Sequence, residues 1–129
     1  MATIIANTAK AIFSNLVAGL GGTAPDFLAI GSGAGTAAVT DTTLFTEMTT
    51  GTWTGYARVN ATPTRSTTTV TNDTIQWQGT FTAPAAEAVT NAGTFDASSA
   101  GNLCVKGDFA TVNLASGDSL TLTVKLQFS

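Results

Sequence analysis

From Leu120 to Phe128 every second residue is large and apolar: Leu120, Leu122, Val124, Leu126 and Phe128 alternate with Thr121, Thr123, Lys125 and Gln127. A period of two puts one set on a single face of a β-strand, because successive side chains in a pleated chain point to opposite sides. Burial of five such side chains contributes on the order of 10 kcal/mol before entropy is counted, comparable with the net stability of a whole domain. The spacing therefore predicts a core strand whose deletion prevents folding. The same alternation recurs upstream. Ile75, Trp77, Gly79 and Phe81 oppose Gln76, Gln78 and Thr80, and Trp53, Gly55, Ala57 and Val59 oppose Tyr56 and Arg58. Further strand-like runs cover Phe27 to Ile30, Ser66 to Thr71, Val89 to Phe95 and Leu103 to Phe109, the last followed by Val112 and Leu114. Turn signals separate them at Pro63, Asn72-Asp73, Pro84, Ser98 to Asn102 and Ser116 to Asp118. Six to eight short strands spaced by roughly 8–12 residues, with no βαβ alternation, predict a mainly β fold: an antiparallel β-sandwich or jelly-roll-like barrel.

One helix precedes the strands. Ile12, Phe13, Leu16, Val17 and Leu20 recur at helical spacing, Asn7 or Thr8 is placed to cap the start, and Gly19, Gly21 and Gly22 end it. At about three turns it is too short to stand alone in water, so its stripe is expected to cover something apolar. The whole chain, 1–129, reads as one domain with an arm and helix over about 1–20. The arm, Met1 to Ala6, is either the first strand of that domain or a clamp onto a neighbour's sheet edge. Asp41 or Thr40 is placed to cap a single helical turn through Leu44, Phe45 and Met48.

Charge is scarce. Charged residues make up 10% of the chain, the net charge is −3, and Thr is the commonest residue. A surface with few charges repels neighbours weakly, which favours assembly. The five basic residues, Lys10, Arg58, Arg65, Lys106 and Lys125, are scattered, so no stripe exists to neutralise phosphates and no direct nucleic-acid contact is expected. No apolar run reaches the roughly 18 residues of a membrane span. The start lacks the basic and long apolar segments of a signal peptide, which places synthesis in a cytoplasm. Cys104, the single cysteine, lies in an apolar stretch and reads as a buried small hydrophobe.

The residues offer little chemistry. With no histidine, the commonest general base and the usual triads and zinc sites are absent. Gly31, Gly33 and Gly35 follow a strand, as a phosphate loop would. Their spacing is GxGxG, though, and no Walker-type lysine follows, so a mobile surface loop is the expected reading. The carboxylates Asp26, Asp41, Glu47, Asp73, Glu87, Asp96, Asp108 and Asp118 lie mostly at turns, where Asp bonds its own backbone. Asp96, Asn102 and Asp108 flank one turn and are a candidate calcium trio, although the spacing of an EF-hand loop is absent. Trp53 and Trp77 fall on apolar strand faces and read as core, whereas Tyr56 on the opposite face is a candidate for a subunit interface. No catalytic, cofactor or metal residue is assigned, and no cofactor is expected.

The order of segments resembles small structural proteins of tailed bacteriophages. It runs from NLVAGLGGTAP through FLAIGSGAGTAAVTDTTLFTE, VTNDTIQWQGTFTA and VTNAGTFDASSAGNLCVKGDFATVNLASGD to the closing SLTLTVKLQFS. Such proteins are often described as structural or tail-fibre proteins, and the pattern is also similar to head decoration (cement) proteins. Gly51 to Ser66 matches nothing in the resemblance. The resemblance implies a non-enzymatic virion protein. Tail fibres usually carry repeats or heptads, which are missing here. That favours a homotrimer on the outer capsid surface with the major capsid protein as partner, the alternative being a tail, fibre or adaptor component. A carbohydrate-binding β-sandwich is the competing reading from another class.

Overall fold

The computed structural model describes residues 2–49 and 56–129. Its elements are β1 (Thr3–Ile5), α1 (Asn7–Ala18), β2 (Phe27–Gly31), β3 (Val59–Asn60), β4 (Thr64–Ser66), β5 (Thr74–Thr82), β6 (Glu87–Phe95), β7 (Leu103–Leu114) and β8 (Ser119–Gln127). They build two antiparallel sheets, one ordered β1-β7-β6-β2-β3 and the other β4-β5-β8. The fold is the mainly β, two-sheet architecture that the alternation implied.

The core lies between the sheets. Trp77 and Phe81 point inward from β5 and meet Leu28 and Ile30 of β2, Val89 and Ala92 of β6, and Val105 of β7. Trp77 is wholly enclosed, and its indole N–H donates to the carbonyl of Pro25 at 2.6 Å. The burial thus leaves no polar atom of the ring unpaired. Ala29, between Leu28 and Ile30, faces the other way into a second cluster with Ala6, Leu44, Phe95 and Leu103. Gly79 sits where a β-carbon would press on Leu28 and Val59 at 3.2 Å, so the sheets approach closely there.

Five local expectations need correction. The helix starts one residue earlier than a side-chain cap would require. Ala6 occupies the cap position without a side-chain bond, Asn7 accepts from the Lys10 ammonium, and the Thr8 hydroxyl donates to the carbonyl of Leu103. The apolar stripe is only half used: Ala9 and Ile12 are buried, but Leu16, Val17 and Leu20 are exposed. Residues 41–48 form no helical turn. They run back along β2 instead, with Gly31 bridging Glu47 and the Gly33 N–H donating to the carbonyl of Phe45. The Thr-rich run after Ser66 is a loop, because the Asp73 carboxylate accepts the backbone N–H groups of Thr68, Thr69 and Val70 and curls them around itself. Finally, the closing strand forms as predicted, in unbroken register with β5. Its inward residues are only half-buried, however, and Phe128 lies beyond it in solvent.

The N-terminal arm pairs with its own domain. Thr3, Ile4 and Ile5 lie opposite Gly107, Lys106 and Val105 of β7. Trp53 and the rest of 50–55, including most of the strand predicted before Tyr56, lie outside the described residues.

Candidate functional site

Polar side chains inside a low-dielectric core must be paired, so the buried ones show where the chain has placed its electrostatics. Three inter-segment clasps stand out: Asn91 and Lys106 hold a loop to strands, and Arg58 ties loop segments to one another.

Asn91 in β6 is fully buried. Its amide oxygen accepts from the Phe45 N–H at 3.0 Å, and its NH₂ donates to the carbonyl of Phe45 at 3.0 Å. Gly31 and Gly33 lie against this strap so tightly that a β-carbon on Gly31 would fall 2.5 Å from the Phe45 carbonyl oxygen, and one on Gly33 2.7 Å from the Thr46 hydroxyl. The GxGxG segment is therefore a packed edge, not a mobile loop. Its glycines let Phe45 and its neighbours approach.

Lys106 of β7 has a side chain with no solvent exposure. Its ammonium donates to Asp41 at 2.8 Å and to the carbonyl of Thr43 at 2.9 Å, and it sits 3.3 Å from the centre of the Phe45 ring. All three donors of the ammonium thus have a partner. The hydrogen bond from Lys106, with help from the Ala38 N–H, holds the Asp41 carboxyl below its ordinary range.

Arg58 forms the third clasp. Its guanidinium grips Glu47 through two bonds, of 2.6 and 3.0 Å, donates to the carbonyls of Ala97 and Ala100 at 2.7 Å each, and lies 3.6 Å over the Phe95 ring. Beside it is a polar recess of about 400 Å³ lined by Thr42, Thr43, Ser98, Ser99 and Gly101. The two charged groups of this recess, Arg58 and Glu47, are paired with each other.

Three further carboxylates, Asp73, Asp96 and Asp108, are held by backbone and side-chain donors. Asp73 is held far below the carboxylate range, chiefly by the Val70 N–H. Asp96 accepts from the backbone and side-chain amides of Asn102. Asp108 accepts from the N–H groups of Ala2 and Ala37. Asp108 lies opposite Asn91 in the sheet and Leu103 opposite Phe95, so the proposed calcium trio splits, with Asp108 several residues along the strand from the Asp96–Asn102 pair. Among the described residues no three His, Cys, Asp or Glu side chains come together to hold a metal. Burial pushes the Cys104 thiol up to about 11, so it is inert at neutral pH. Tyr56 is not on a free surface: it is 3% exposed, its hydroxyl has no partner among the described residues, and burial raises its pKa above the ordinary tyrosine value.

Sequence reasoning missed Asn91, Lys106 and Arg58 as structural hubs. The signal was present for the first two. Asn91 lies within the strand-like run Val89 to Phe95, and Lys106 directly follows the apolar run Leu103 to Val105. A polar residue in an apolar register has to be buried with partners or break the register. Arg58 gave no such signal, because its partners are remote in the chain.

The outer surface carries two apolar grooves. One, of about 440 Å³, runs between α1 and the β4–β5 sheet and is lined by Phe13, Leu16, Val17, Pro25, Ile75 and Phe128. The other, of about 230 Å³, opens between β7 and β8. Among the described residues no helix is long and apolar enough to cross a membrane.

A domain with every buried charge tied into loop clasps and apolar grooves on its outside is built to hold a shape and to contact other surfaces. No curated protein matches the sequence. A family of phage virion fibre components does, over nearly the whole chain, and this backs the fibre reading rather than capsid decoration. Its name describes a structural part, not a catalytic activity. With residues 3–126 matching the family described as Podophage GP4 fiber I protein gp80, the chain belongs to that fibre-protein family.

Proposed function

We propose that the chain is a tail-fibre subunit of a podophage virion, working mechanically and by surface contact. The observation that carries this reading is the family match across residues 3–126, which spans both sheets and the helix. The structure supports it in kind. A fibre module needs a rigid frame, supplied by the two-sheet core, and loops held in fixed positions, supplied by the Asn91, Lys106 and Arg58 clasps. The lack of heptads and repeats, which pointed toward the capsid, has a simpler account here. A globular module is one piece of a fibre and need not form its shaft.

Immunogold labelling of intact virions with an antibody against this chain tests the location, together with its stoichiometry relative to the major capsid protein. Label confined to the tail, at a small fraction of the capsid protein's copy number, is the expected result. Label spread over the head in near-equal stoichiometry would restore the decoration reading.

A further inference from the structure

Sheet edges are the points where a β-protein recruits another chain, because half of an edge strand's N–H and C=O groups lack a partner. Three of the four edge strands here, β1, β3 and β4, have three residues or fewer. Short edges are a common protection against unwanted pairing. The fourth, β8, is nine residues long. It pairs with β5 through nine consecutive partners without a bulge, and it contains no proline. Among the described residues its far side has no strand partner. Lys125 is its only charge.

The inward face of β8 is also unfinished. On β5 the inward residues Trp77 and Phe81 are 0% and 3% exposed. On β8 the inward residues Leu120, Leu122, Val124 and Leu126 are all only half-buried. The flank they leave open is the groove shared with Phe109 and Val105 of β7. A strand added to β8 would close that flank if it carried apolar side chains at every second position on the same face.

We infer that the occupant is β8 of a second copy, paired antiparallel about a two-fold axis at Thr123, so that the two three-stranded sheets join into one of six. The register follows from the residues. Directly opposed residues in an antiparallel pair point to the same face, so a two-fold axis perpendicular to the sheet sets inward Leu120 against Leu126 and Leu122 against Val124. Only the axis at Thr123 uses all nine residues of both strands. It places each Lys125 opposite the partner's Thr121 and keeps the two ammonium groups apart. A parallel, in-register pair would stack Lys125 on Lys125, and like charges directly opposite are destabilising. The inference goes beyond the fibre assignment and does not depend on where in the virion the fibre sits.

Thr123 is exposed, and Cys104 is wholly buried. Thr123→Cys therefore creates a single accessible thiol at the axis, where opposed β-carbons lie about 4.5–5.5 Å apart, so that a shift of the two strands by about 1 Å brings them to the roughly 3.5–4.5 Å of a disulfide. Thr80→Cys is the control. It is exposed on the same sheet but on β5, one strand further from the axis in each copy. On mild oxidation, Thr123→Cys should give a disulfide dimer of twice 13.0 kDa, and Thr80→Cys should remain a monomer. Analytical ultracentrifugation should find dimerisation about tenfold tighter for Thr121→Glu, which faces Lys125 across the axis, and about tenfold weaker for Thr121→Lys, with the difference shrinking in high salt. Equal cross-linking of both cysteine variants would overturn the proposal. So would no cross-linking of either, or an oligomer indifferent to the charge at 121. None of these outcomes bears on the immunogold result.

Discussion

Neutralising Asp41 isolates the charge of Lys106. Asp41→Asn keeps an oxygen for the Ala38 N–H but removes the anion from an ammonium that has no solvent exposure. Removing one partner of a fully buried ion pair costs about 3–5 kcal/mol, because the remaining charge is left unsolvated. Asp41 is 22% exposed, and water screens part of the interaction there. The expected loss is therefore about 2 kcal/mol. For a chain of this size that is a fall in Tm of roughly 6–10 °C. Lys106→Met keeps the length and fills the same space. It leaves Asp41 able to reach water and the Ala38 N–H, so it should cost only about 1 kcal/mol. The double variant should be no less stable than Lys106→Met alone, because no orphaned ammonium remains. Urea unfolding followed by tryptophan fluorescence measures all four proteins. The pH dependence gives an internal check. The Asp41 carboxyl is lowered by its bond to Lys106, so its contribution is fully present above the ordinary carboxylate range near 3.8 and is lost as pH falls through the lower folded value. The gap between parent and Asp41→Asn should close in acid. If Asp41→Asn stays within about 0.5 kcal/mol of the parent, or if the two single losses simply add, the clasp carries no coupling energy and the reasoning fails.

Gly31→Ala forces a β-carbon to within 2.5 Å of the Phe45 carbonyl oxygen and 2.8 Å of the Asn91 amide. It should destabilise by about 2–3 kcal/mol, and calorimetry showing an unchanged Tm would refute the packed-strap account. Asp73→Asn should move the midpoint of acid unfolding upward. The parent's carboxylate is held low, first by the Val70 N–H, and its stabilising effect persists until pH falls through that low folded value. Coincident acid titrations followed by circular dichroism would contradict this. Tyr56→Phe removes a buried hydroxyl with no partner among the described residues, so stability should hold or rise by about 1 kcal/mol, and a clear loss in urea would mean that the hydroxyl is bonded after all.

How much was legible in the sequence differs between strands and loops. The strands were legible because alternation is local: Trp77, Phe81 and the β8 residues announce a buried face within a few positions. The connecting segments were not, because their shapes are set by partners far along the chain. Residues 41–48 contain helix-compatible spacing, yet Asn91, 46 positions from Phe45, holds that residue by its backbone N–H and carbonyl. The Thr-rich run beyond Ser66 has strand-forming residues throughout, yet one carboxylate, Asp73, outcompetes a sheet partner for three of its N–H groups. The helix stripe was read correctly as apolar but wrongly as covered, since periodicity reports which residues share a face and not how much of that face finds a neighbour. Tyr56 failed for a related reason: it was assigned to the face opposite the core, and the structure buries it.

The outer ridge of α1 has a practical consequence. Val17 is 89% exposed and Leu20 77%, with Phe128 at 59% across the groove. A molecule that holds these groups in water, with a net charge of only −3 over 129 residues, has little colloidal repulsion to offset their attraction. Strongly salting-out anions such as sulfate strengthen that attraction. The purified domain will therefore leave solution at modest sulfate concentrations, and it will keep best in dilute buffers well above its isoelectric point of about 4.4.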